Sequence, residues 1–95
     1  MLRLPFLSLA LVATPVFAQG YFSAEPVTPP ADQRFVAREN VWQCNGAACS
    51  SARSASRPAI VCSTLVRQVG ALKSFTVDGR ALAAEELADC NSRAR

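Results

Sequence analysis

Four cysteines, Cys44, Cys49, Cys62 and Cys90, are the residues of this 95-residue chain with the widest choice of chemistry. Thiolates bind zinc, attack disulfides, or pair with one another, and spacing separates these roles. Structural zinc sites usually collect ligands in C-x2-4-C pairs. Here only Cys44 and Cys49 are close, while Cys62 and Cys90 stand alone. A thiol oxidoreductase normally carries C-x-x-C with a tuned thiolate, and the four-residue gap between Cys44 and Cys49 departs from that pattern. Pairing as structural disulfides fits best, with redox work at Cys44 and Cys49 as the alternative.

Other catalytic groups are scarce. The chain has no histidine, so Ser-His-Asp and Cys-His mechanisms, histidine metal sites and the C-x-x-C-H haem motif are excluded. Lys73 is the only lysine and has no S-x-x-K partner, so it reads as a solvated strand residue. Glu85 and Glu86 are adjacent, about 100° apart on a helix, and do not converge as a glycosidase pair must. No glycine pattern resembles a phosphate-cradling loop. No catalytic residue, metal ligand or cofactor is therefore assigned. Candidate partner contacts are Arg53 and Arg57, which flank a serine-rich stretch, and the aromatic pair Tyr21-Phe22.

The N-terminus sets the compartment. Arg3 precedes an apolar run from Leu4 to Val12, and Val16-Phe17-Ala18 supplies the small-x-small signature of signal-peptidase cleavage. A cut between Ala18 and Gln19 leaves 77 of the 95 residues, and loss of Arg3 lowers the net charge from +3 to +2. Such a weak balance does not point to nucleic acid. No second apolar run reaches the roughly 18 residues of a bilayer span. No cysteine follows the cleavage site to carry a lipid. The address expected is export, in a bacterium the periplasm, where thiols oxidise.

The chain divides into a leader (1–18), a flexible Pro-rich tail (19–34) and a small four-cysteine domain (35–95). Pro26, Pro29 and Pro30 among small residues place 19–34 outside the core. The remaining 61 or so residues are marginal on a hydrophobic core alone, which is the physical case for paired cysteines.

The expected fold class is α+β: a small disulfide-stapled domain with a β-hairpin, then a helix, a strand with a turn, and a C-terminal helix. Phe35 to Cys44 reads as one strand with imperfect alternation, Asn45-Gly46 as the hairpin turn, and Cys49 to Arg53 as the return strand. Cys44 and Cys49 then face each other across the hairpin, on the side of Trp42. Pro58 suits the first turn of a helix that Gly70 stops, with Cys62, Leu65, Val66 and Val69 on one stripe. Leu72 to Val77 reads as a strand and Asp78-Gly79 as a turn. A last helix begins near Ala83 or Ala84 and runs to the end, with Leu87 and Cys90 on its apolar side. Of the three possible connectivities, Cys44–Cys49 with Cys62–Cys90 agrees best with these elements.

The mature chain resembles a family of small exported alphaproteobacterial proteins catalogued under a Caulobacter locus tag and functionally uncharacterised. Tyr21-Phe22, Val41-Trp42-x-Cys44 with Gly46 and Cys49, and Arg57-Pro58-Ala59-Ile60-Val61-Cys62 carry the likeness. Val69-Gly70-Ala71-Leu72, Phe75 and Leu87-Ala88-x-Cys90-Asn91 complete it. The resemblance implies a bacterial envelope address and transfers no functional site. The function expected is that of a non-enzymatic accessory or interaction protein, with an envelope protein or polymer as partner.

Overall fold

The structure is a computed structural model that describes residues 20–95. The expected leader, residues 1–18, lies outside the described residues. Eight elements follow in chain order: β1 (Phe22–Pro26), β2 (Arg34–Ala37), β3 (Asn40–Asn45), β4 (Ala48–Ser51), α1 (Pro58–Val69), β5 (Leu72–Val77), β6 (Arg80–Ala81) and α2 (Ala84–Asn91). The six strands form one sheet in the order β2-β3-β4-β1-β5-β6, every neighbour antiparallel. Both helices contribute to a single core on one face of the sheet. The α+β class, the two helices and the hairpin that carries Cys44 and Cys49 are as the residue pattern predicts.

The expected flexible tail is corrected. Residues 22 to 26 form β1, a central strand paired with β4 on one side and β5 on the other. The cause is period-two alternation: Phe22, Ala24 and Pro26 are buried, whereas Ser23 is half-buried and Glu25 exposed. Pro26 is compatible with this place because it ends the strand at a register shift, opposite Leu72. The following amide already leaves the strand ladder, with Val27 N–H donating to the Ala71 carbonyl at 3.0 Å. Pro29 and Pro30 fall in the connector between β1 and β2, so the folded unit begins well before residue 35.

The stretch read as one strand from Phe35 to Cys44 is two, β2 and β3, folded over a turn at Arg38-Glu39. Arg38 adopts φ 61° there. The polar residues that broke the alternation are thus a turn and a clamp. Asn40 is buried, and its Nδ2 donates to Ser51 Oγ at 3.1 Å and to the Ala52 carbonyl at 3.3 Å. Ser51 Oγ donates to the Val41 carbonyl at 2.8 Å and Ser54 Oγ to Asn40 Oδ1 at 3.1 Å. The next turn lies one residue later than expected, at Gly46-Ala47, because Asn45 pairs with Ala48. Gly46, at φ 64°, supplies the left-handed backbone this two-residue turn needs.

Helix α1 starts at Pro58 and ends against Gly70, as expected, burying Val61, Cys62, Leu65 and Val66. The rings of Phe22 and Trp42 flank that of Phe75, with centroids 6.0 and 6.4 Å away. The register shift in β5 leaves Lys73 without a β1 partner and puts Leu72 and Phe75 on the same buried face. Helix α2 is shorter than expected, ending at Asn91, and Cys90 is its only buried residue. Its start lacks a side-chain N-cap, as Ala83 implies, but the Ala83 N–H donates to Glu86 Oε1 at 3.2 Å. Two tethers fix the other end. Asn91 accepts from Leu72 N–H at 2.9 Å and donates to the Leu72 carbonyl at 3.0 Å, and Cys90 is bonded to Cys62.

Candidate interaction surface

The four cysteines take the predicted pairing. Cys44 and Cys49 are directly opposite in the β3–β4 ladder, with Cα atoms 3.9 Å apart. Cys62 and Cys90 join α1 to α2 with a Cα separation of 6.0 Å. No cysteine is free. With every sulfur in a disulfide, none is a thiolate ligand or nucleophile in this state. Among the described residues no group of three or more Cys, Asp or Glu is arranged to hold a metal ion.

The four candidate contact residues separate into two kinds. Phe22 is 1% exposed and belongs to the core, so its reading as a partner contact is corrected. It packs edge-on against Tyr21, centroid to centroid 4.9 Å, and against Phe75. Tyr21 is half-buried, and the Arg53 guanidinium lies 5.4 Å from its ring centroid, within cation–π range. Arg53 and Arg57 are both exposed. The Arg57 carbonyl accepts from Ile60 N–H and Val61 N–H and so opens α1, leaving the side chain to solvent. A shallow depression of about 440 Å³ joins Tyr21 and Pro58 to Val77, Arg80, Leu82 and Glu86. The strand end that carries Tyr21 and Arg53 is therefore amphipathic, with an aromatic ring, apolar walls and guanidinium groups within one neighbourhood.

The sheet face opposite the helices is a second surface, which the residue pattern did not bring forward. Its register aligns Arg34, Gln43, Ser50, Ser23, Thr76 and Ala81 in one row across all six strands. Small hydroxyl side chains at the centre leave a depression of about 310 Å³, bordered by Gly20, Glu25 and Ser74. Glu25 brings a carboxylate to the border of these hydroxyls, and the row itself offers hydrogen bonding. The signal was present in the alternation of Ser23 and Glu25 with Phe22 and Ala24, but it surfaces only once 22–26 is read as strand. Helix α2 contributes Glu86 and Asp89, and the turn after it Arg93, to a groove with Pro58, Ile60 and Leu82. No described helix is long and apolar enough to cross a membrane.

A family model described as a family of unknown function (DUF8200) matches residues 7–92. The chain belongs to that family, and the match takes in β1 as well as all four cysteines. No curated protein and no solved structure matches the chain.

Proposed function

We propose that this member of the DUF8200 family is an exported protein of the bacterial envelope, periplasmic and of alphaproteobacterial type, that acts by binding rather than by catalysis. The observation that carries the reading is the closure of both disulfides inside the core of a chain whose first residues carry a cleavable-leader pattern. The chemistry of its surface supports binding: a row of hydroxyls on the open sheet face, and an arginine beside a half-buried tyrosine at the strand ends. Arg53, Arg57 and the edge of Tyr21 are the contacts we assign to the partner, a protein or polymer of the envelope.

Cell fractionation with N-terminal mass determination tests the address. Mature chain starting at Gln19 in the periplasmic fraction is expected; chain retained in the cytoplasm with Met1–Ala18 attached refutes export. Capture of a partner from periplasmic extract by the mature chain, lost on Arg53→Glu with Arg57→Glu, tests the contacts. Thiol-redox work at Cys44 and Cys49 has less support, because these residues are only 2% and 3% exposed and exchange needs access for an incoming thiolate. Thiol titration of the native protein separates the two: oxidised and resistant cysteines fit binding, a readily reduced pair fits redox.

A further inference from the structure

The two edges of the sheet are unlike. One is β6, whose two residues are too few to template another strand. The other is β2, four residues from Arg34 to Ala37 with a strand on one side only. Its pairing with β3 decides which groups point outward. The Cys44 N–H donates to the Gln33 carbonyl at 2.6 Å, so Gln33, Phe35 and Ala37 direct their amides and carbonyls to β3. Arg34 and Val36 turn theirs to the open edge. In agreement, the Val36 carbonyl accepts from Gln68 Nε2, at 3.4 Å, rather than from β3. The edge also carries apolar surface. Val36 and Val41 are paired on the open sheet face and both are exposed. On the helix face Phe35 is half-buried, beside a shallow depression of about 120 Å³ with Pro30, Ala31, Gln68 and Val69 in its wall.

We propose that β2 is a self-pairing edge: a second copy of this chain adds its own β2, antiparallel, about a two-fold axis at Phe35, doubling the six-stranded sheet. Charge selects that register. With the axis at Phe35, Arg34 of each copy lies opposite Val36 of the other, and the two residues exchange both backbone hydrogen bonds. The same register sets Asp32 opposite Arg38 at each end of the interface, and both side chains are exposed. Moving the axis to Arg34 sets two arginines opposite each other; moving it to Val36 sets Arg34 opposite Arg38. Like charges so placed are destabilising, and the axis at Phe35 avoids them. It also brings the two Phe35 rings together as a non-hydrogen-bonded pair, where side chains approach most closely, each next to the other copy's depression. The contact is isologous, so it closes at two copies, and both ends of the joined sheet are then the short β6.

Sedimentation equilibrium of the oxidised chain from Gln19 onward, which carries all eight elements, is the test. So short an interface belongs to the weak, transient class, and half-association is expected at roughly 10–100 µM. Asp32→Arg alone puts like charges at both ends of the interface, and so does Arg38→Asp alone. Each is expected to weaken association at least about fivefold. In an equimolar mixture of the two variants every end again has opposite charges, so a mixed dimer of wild-type strength is expected. Circular dichroism checks that each variant keeps the fold. A chain that stays monomeric up to about 1 mM overturns the proposal, even if β2 then accepts a strand from another protein. So does a dimer indifferent to both single variants, or a mixture no tighter than its components. Amide exchange of the wild-type chain gives a reading that needs no variant. As concentration rises, the Arg34 and Val36 amides are expected to gain protection, while those of Phe35 and Ala37, already bonded to β3, stay unchanged. Association without added protection at Arg34 and Val36 overturns the proposal as well.

Discussion

Phe22→Ala is the substitution that weighs most on the fold described here. The ring is 1% exposed and sits between Tyr21 and Phe75 in the core. Truncating a buried phenylalanine to alanine costs about 3–5 kcal/mol, as transfer free energy plus the cavity left behind. The 76 described residues, 20–95, correspond to a total stability of roughly 4–12 kcal/mol at the usual 0.05–0.15 kcal/mol per residue. The variant is therefore expected to lose at least about a quarter of its stability, and its melting temperature to fall by at least about 12 °C. Urea titration with the disulfides intact is the assay, followed by the fluorescence of Trp42, the single tryptophan, and by far-UV circular dichroism. Ser23→Ala, one residue away on the open face, is the control and is expected to stay within about 0.5 kcal/mol of wild type. A Phe22→Ala protein within about 1 kcal/mol of wild type would refute the placement of β1 and return residues 19–34 to a tail.

Removing Cys62–Cys90 as a double alanine variant is expected to cost more than removing Cys44–Cys49. Sequence separations of 28 and 5 correspond to roughly 3.5 and 2 kcal/mol in the chain-entropy model, and thermal melting compares them directly. Asn91→Ala breaks both hydrogen bonds to Leu72; a loss of about 2 kcal/mol is expected by urea titration, with faster exchange of the Leu72 amide. Trp42→Phe removes volume but no hydrogen bond, since the buried indole nitrogen has no partner. A cost of about 1–2 kcal/mol, read by calorimetry, is expected from packing alone.

Where side chains announce their own geometry, the chain was legible. Pro58 and Gly70 mark the ends of α1, Asp78-Gly79 marks a turn, and the stripes containing Cys62 and Cys90 give the bridge between helices. The hairpin also told which cysteine faces Cys44, because opposition across a ladder depends on local pairing. Legibility failed where tertiary context outweighed composition. Phe22 and Ala24 alternate with Ser23 and Glu25 as a strand should, but three prolines nearby read as tail; only Pro26 belongs to β1, and it sits where the register shifts. Arg38, Glu39 and Asn40 looked like noise in one strand because Asn40's partners, Ser51, Ala52 and Ser54, lie more than ten residues on. The hydroxyl row of the open face was hidden for the same reason. Its members come from strands far apart in the chain, and register alone aligns them.

Helix α2 has a dependence that the other elements lack. Eight residues with one buried side chain are too few to hold a helix in water on propensity or packing. What holds it is the Cys62–Cys90 bond and the Asn91 clasp on Leu72. In a reducing compartment the bond is absent, α2 detaches more readily, and the apolar side of α1 around Cys62 opens to solvent. A molecule with that bond reduced is thus the one that a protease would find open, so the oxidation state of its surroundings bears directly on how long the fold lasts.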